Sequence, residues 1–105
     1  MGKEHDIQNS IREALSKKSC VVFRMNVGKI RTPDGRFFDT GVPAGFSDLF
    51  GFRKSDGRAF FIEVKRPHMK ASDKQKAFLE KMQSYGAIAG VCYSAEDAIN
   101  LVTKE

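Results

Sequence analysis

The sequence predicts a three-layer α/β domain, a mixed sheet of four or five strands flanked by helices. Three observations predict it. Ser47–Arg53 and Arg58–Lys65 are strand-type runs joined by the tight turn Lys54-Ser55-Asp56-Gly57, which makes an antiparallel hairpin. A helical run near 72–85 then leads to one more strand, so the chain crosses over and returns to the sheet. An amphipathic helix opens the chain.

The elements follow in order. In Asp6–Lys17, Ile7, Ile11, Ala14 and Leu15 recur at spacings of four and three and form one apolar stripe. Ser19–Val27 is a strand: Cys20-Val21-Val22-Phe23 is its core, and Met25 and Val27 continue the alternation. Thr32-Pro33-Asp34-Gly35 is a turn that joins two short arms, Val27–Arg31 and Arg36–Asp39. Gly41-Val42-Pro43-Ala44-Gly45 breaks regular structure. After the central hairpin, Pro67 ends the second strand. Ser72 with Gln75 three residues later is a capping box. The helix it starts shows Phe78, Leu79, Met82 and Tyr85 on one face, and Gly86 stands where a helix stops. Ala87–Tyr93 is a buried strand, and Ser94 caps a final helix, Ala95–Val102. The order is α-β-(β)-β-β-α-β-α.

One domain accounts for all 105 residues, because a second core does not fit in that length. No apolar run approaches the roughly 18 residues a membrane span needs. The opening MGKEHDIQNS has no apolar stretch, and Cys20 and Cys92 form no CxxC pair. The expectation is a protein that is not exported, cytoplasmic and reduced, with both thiols in the core. His5 and His68 have no partners at metal-ligand spacing.

The net charge is +5. The stretch Arg53–Lys81 holds nine Lys and Arg against four Asp and Glu, so its own excess equals that of the whole chain. A clustered excess fits an anionic partner, nucleic acid first. Lys29, Arg31, Arg36, Arg53, Arg66, Lys70 and Lys74 are candidate phosphate contacts. Phe37, Phe38 and Phe46 fall in loop or edge segments, where they serve a subunit interface or stack on bases.

The chemistry centres on Asp48, Glu63 and Lys65. Successive side chains of a strand alternate faces, so Ile62 and Val64 share one face and Phe61, Glu63 and Lys65 the other. Pairing across the Lys54–Gly57 turn sets Asp48 opposite Glu63 at the open end of the hairpin. Directly opposed residues have Cβ atoms roughly 4.5–5.5 Å apart, and like charges there are unfavourable. A divalent cation such as Mg²⁺ resolves the conflict, and Lys65 on the same face can then act on an attacking water. A surface hairpin with these three residues in an ion-pair lattice gives the same pattern.

Asp48 followed fifteen residues later by Glu63-Val64-Lys65 resembles the PD-(D/E)xK nuclease motif. The proline of that motif is displaced: Ser47 precedes Asp48, and Pro43 lies five residues before it. More narrowly, the chain resembles a stand-alone VRR-NUC domain. The matching pieces are Glu4 and Gln8 in the first helix, Gly45-Phe46-Ser47-Asp48-Leu49, Glu63-Val64-Lys65, Ser72-Asp73-Lys74-Gln75 and the helix end Tyr85-Gly86.

The resemblance implies a restriction-endonuclease-like core and a metal-dependent endonuclease that hydrolyses DNA phosphodiesters. It implies Mg²⁺ or Mn²⁺ held by Asp48, Glu63 and the Val64 backbone carbonyl. Glu4 would join directly or through water, Lys65 would act on the nucleophile, and Gln75 would reach the site from the second helix. It also implies a homodimer acting on branched DNA such as four-way junctions, and a phage or mobile-element setting inside a host cell. Two alternatives stand beside it: a nuclease on flaps or single strands, and a DNA-binding module without catalysis.

Overall fold

The computed structural model describes residues 3–27 and 29–104, with the backbone alone for Lys29 and Ile30. Nine elements follow the expected order: α1 (Lys3–Lys17), β1 (Cys20–Arg24), β2 (Lys29–Arg31), β3 (Phe37–Asp39), β4 (Leu49–Arg53), β5 (Ala59–Val64), α2 (Asp73–Ser84), β6 (Ile88–Cys92) and α3 (Ala95–Thr103). The main sheet has four strands in the order β1-β4-β5-β6. β4 pairs antiparallel with both β1 and β5, and β6 runs parallel to β5. The short arms β2 and β3 pair only with each other, as a separate two-stranded sheet.

Three layers follow from the alternation along the strands. Ile11 and Leu15 of α1 and Ala98 and Val102 of α3 bury one face of the sheet with Leu49, Phe60, Ile62, Val64, Ile88 and Cys92. On the other face Phe61 and Ala89 meet Leu79 of α2, and Phe46, Phe50, Phe78 and Met82 pack around them. Each large side chain moved from water into such a core contributes roughly 1.5–3 kcal/mol. Both cysteines are buried and unbridged, as expected for core thiols.

α2 is cut to length by its ends. The Ser72 side chain accepts the Gln75 N–H, and the Gln75 side chain accepts the Ser72 N–H, so the capping box is complete. Gly86 takes φ 96°, a conformation that favours glycine after a helix.

Two aromatic expectations are corrected. Phe46 is not an exposed loop residue: its ring centre lies 4.6 Å from that of Phe78 and 5.9 Å from that of Phe61. Tyr85 does not join the apolar face of α2; its position at the helix end leaves it 74% exposed. No helix among the described residues is long and apolar enough to cross a membrane.

Candidate active site

The site stands where β4 begins and β5 ends. The register Leu49↔Ile62 and Phe50↔Phe61, extended by one position, sets Asp48 across from Glu63 as the sequence predicts. Asp48 precedes β4 and turns its carboxylate onto the neighbouring strand: the Val64 N–H donates to Asp48 Oδ2 at 2.8 Å. In an extended strand the N–H and C=O of a residue project to the same side. The Val64 carbonyl therefore points toward Asp48 as well.

Two contacts fix the segment before Asp48. Ser47 is fully buried and its Oγ donates to the Leu49 carbonyl at 2.8 Å. Gly45, at φ 89°, lies so close to α2 that a Cβ there would come within 2.8 Å of the Lys74 carbonyl oxygen. Glycine is required on both counts. The close approach sets the Asp48 loop against the first turn of α2, next to Gln75.

Glu63 is 1% exposed. Gln75 Nε2 donates to Glu63 Oε2 at 2.7 Å, and Lys65 Nζ stands 3.8 Å from the same oxygen. The other oxygen, Oε1, is buried and receives no hydrogen bond. A buried carboxylate oxygen without a donor is costly unless a proton or a cation meets it. Burial pushes the Glu63 carboxyl up to about 8, and the negative charge of Asp48 adds to the rise. Lys65 opposes the rise without cancelling it. At neutral pH the metal-free Glu63 therefore favours its protonated form.

These groups suit a hard divalent cation. Two carboxylates and a backbone carbonyl are the oxygen donors Mg²⁺ and Mn²⁺ take, and Glu63 Oε1 is an acceptor waiting for a positive partner.

The structure brings together Asp48, Glu63, Val64, Lys65 and Gln75. It does not gather Glu4 with them as a third direct carboxylate: among the described residues no three His, Cys, Asp or Glu side chains group closely enough to hold a metal. Glu4 sits half-buried in the first turn of α1.

The basic residues separate into three groups. Arg66, Lys70 and Lys74 are exposed on the connection from Lys65 into the first turn of α2. Arg31 and Arg36 lie on the β2–β3 arm, where Arg36 pairs with Asp34 at 2.9 Å. The side chain of Lys29 lies outside the described residues. Arg53 is a correction. It ends β4, five residues from Asp48, or about 17 Å along a strand. Its guanidinium is bound to Asp56 and to the Val102 carbonyl at 2.9 Å, a brace between the hairpin turn and the end of α3 rather than a phosphate contact.

Sequence reasoning passed over Ser47 as a structural residue and Gly45 as a packing residue. The glycine-rich composition of 41–45 signals a loop but not its contact with α2.

Comparison with known proteins identifies the family and the fold. A family model described as the VRR-NUC domain matches residues 2–96. A solved structure of a VRR-NUC domain is similar in fold, with a TM-score of 0.70 and 22% identity, over 98% of this chain and 97% of that one. No curated protein is recognisably similar to the chain.

Proposed function

The chain belongs to the VRR-NUC domain family, a nuclease-type domain, and we propose that it is a Mg²⁺- or Mn²⁺-dependent endonuclease that hydrolyses phosphodiesters of branched DNA, four-way junctions included. The observation that carries this reading is buried Glu63 paired with half-buried Asp48, with one Glu63 oxygen lacking a donor and Lys65 alongside.

Asp48, Glu63 and the Val64 carbonyl would hold the metal. When bound, it supplies charge to polarise the scissile phosphate and lowers the pKa of a water next to it. The protein's groups do the rest. Gln75 holds Glu63 Oε2, and Oε1 is left without a donor. Lys65, with a side chain 18% exposed, is near enough to the carboxylates to orient the attacking water and offset developing negative charge. Arg66, Lys70 and Lys74 are exposed cations that would meet the phosphate backbone. Such contacts give affinity without sequence information, so selection rests on DNA shape. One site cuts one strand, so a four-way junction needs two copies, and the reading includes a homodimer.

The test is incubation of the protein with linear, flap and four-way-junction DNA in Mg²⁺, Mn²⁺ or EDTA. Cleavage in metal alone, fastest on junctions, is expected. Binding without any cleavage overturns the enzyme, and equal cleavage of junction and linear duplex overturns the junction preference. Asp48→Asn should lose metal affinity in calorimetry while keeping an oxygen for the Val64 N–H. Unchanged affinity rejects Asp48 as a ligand.

A further inference from the structure

The chain between Met25 and Asp48 carries the β2–β3 arm, which pairs with no strand of the main sheet. It leaves the sheet where the Met25 N–H donates to the Asp48 carbonyl at 2.9 Å, and it comes back at Asp48 itself. Both ends of the excursion are therefore tied to the rim of the site. Between them β2 and β3 form a sheet of their own, with arms about 10 Å long closed by the Thr32–Gly35 turn.

Phe37 is 68% exposed and Phe38 is 58% exposed. Neighbours on a strand face opposite sides, so the arm carries a phenyl ring on each face. The Arg31 guanidinium lies 5.9 Å from the centre of the Phe37 ring, and Arg36 is exposed at the turn. Thr32, Pro33, Asp34, Arg36, Phe37 and Phe38 line a shallow concavity of about 520 Å³.

Both Phe37 and Phe38 border this concavity together with Arg36, so one occupant meets rings and a cation at once. A gap between two unstacked bases offers a π-face on each side. Rings interleaved with guanidinium groups are the chemistry of single-stranded nucleic acid sites. We propose that the β2–β3 arm is a wedge for unpaired bases: Phe37 and Phe38 stack on bases beside the nuclease site, and Arg31 and Arg36 hold the flanking phosphates. This rests on the nuclease reading for its substrate, and its test reads binding rather than cleavage.

The whole chain and a Phe37→Ala/Phe38→Ala variant are titrated in EDTA with linear duplex, single-stranded DNA and a four-way junction carrying 2-aminopurine at the branch. Stacking is worth enough per base that the variant should bind single strands and junctions about tenfold or more weakly, with duplex binding unchanged. The 2-aminopurine signal should rise with the wild type and stay flat with the variant. Phe37→Tyr/Phe38→Tyr keeps both rings and should restore both readouts. Equal binding of all three proteins overturns the wedge. So does light scattering that shows a wild-type dimer and a monomeric alanine variant, since a second copy is then the occupant. A wild type that gives the 2-aminopurine signal and cuts nothing in Mg²⁺ supports the wedge while sinking the nuclease reading.

Discussion

Gln75 holds Glu63. Its Nε2 donates to Glu63 Oε2 at 2.7 Å, while its own Oε1 accepts the Ser72 N–H at 2.8 Å. One side chain thus closes the first turn of α2 and clamps the second carboxylate of the site. The capping residue and the candidate site residue are one side chain, with Oε1 serving the cap and Nε2 serving Glu63.

That double role can be split by substitution. Gln75→Glu keeps an acceptor for the Ser72 N–H but replaces the donor to Glu63 with a negative charge. Thermal stability should change little, and cleavage should fall about 10- to 100-fold, as for residues that orient metal ligands. Gln75→Ala should lose both, with about 1 kcal/mol of stability gone with the cap. Denaturant titration and cleavage assays of the two variants separate the roles. Equal stability losses would contradict the split.

Lys65→Ala should slow cleavage by about 10²–10⁴-fold if the ammonium acts on the nucleophile. DNA binding in EDTA should stay near wild type, because one cation among several contributes little to overall affinity. Gel shift and cleavage of the same junction check both halves. Retained cleavage removes Lys65 from the mechanism.

The raised Glu63 pKa has a thermodynamic sign. The carboxyl titrates near 4.5 when unfolded and at about 8 when folded without metal. Between those values the native state keeps a proton that the unfolded chain has released. The stabilisation is complete below about 4.5 and is lost as pH rises through about 8. Asp56, held down to about 2 by Arg53, works with the opposite sign but outside this window. The melting temperature in EDTA should therefore drop from pH 5 to 8.5, and Mg²⁺ should restore more of it at the upper end, where it no longer competes with the proton. Glu63→Gln should flatten the dependence. A flat wild-type profile would refute a protonated Glu63.

Gly45→Ala tests the contact that positions Asp48. The added methyl meets the Lys74 carbonyl, a backbone atom that cannot swing away, and the φ of 89° is itself strained for alanine. A loss of about 1–3 kcal/mol is expected. Cleavage assayed well below the melting temperature should also fall, because Asp48 is displaced from Gln75. Normal cleavage by the folded variant would show that the loop can relax without moving the carboxylate.

The sequence by itself determined the repeating parts. Alternation along 58–65 placed Glu63 and Lys65 opposite Ile62 and Val64, and the Lys54–Gly57 turn set the register that faces Asp48 with Glu63. Ser72 and Gln75 announced the start of α2. These are local: a period or a turn is written in adjacent residues. The tertiary structure alone decided which side chains from distant segments meet. It turned Gln75 onto Glu63, pressed Gly45 against Lys74, drew Phe46 into the core and took Arg53 from the charged surface to brace the end of α3. It also detached β2 and β3 from the main sheet. Such contacts depend on how loops close between packed layers, and a loop's composition marks its presence without fixing its path.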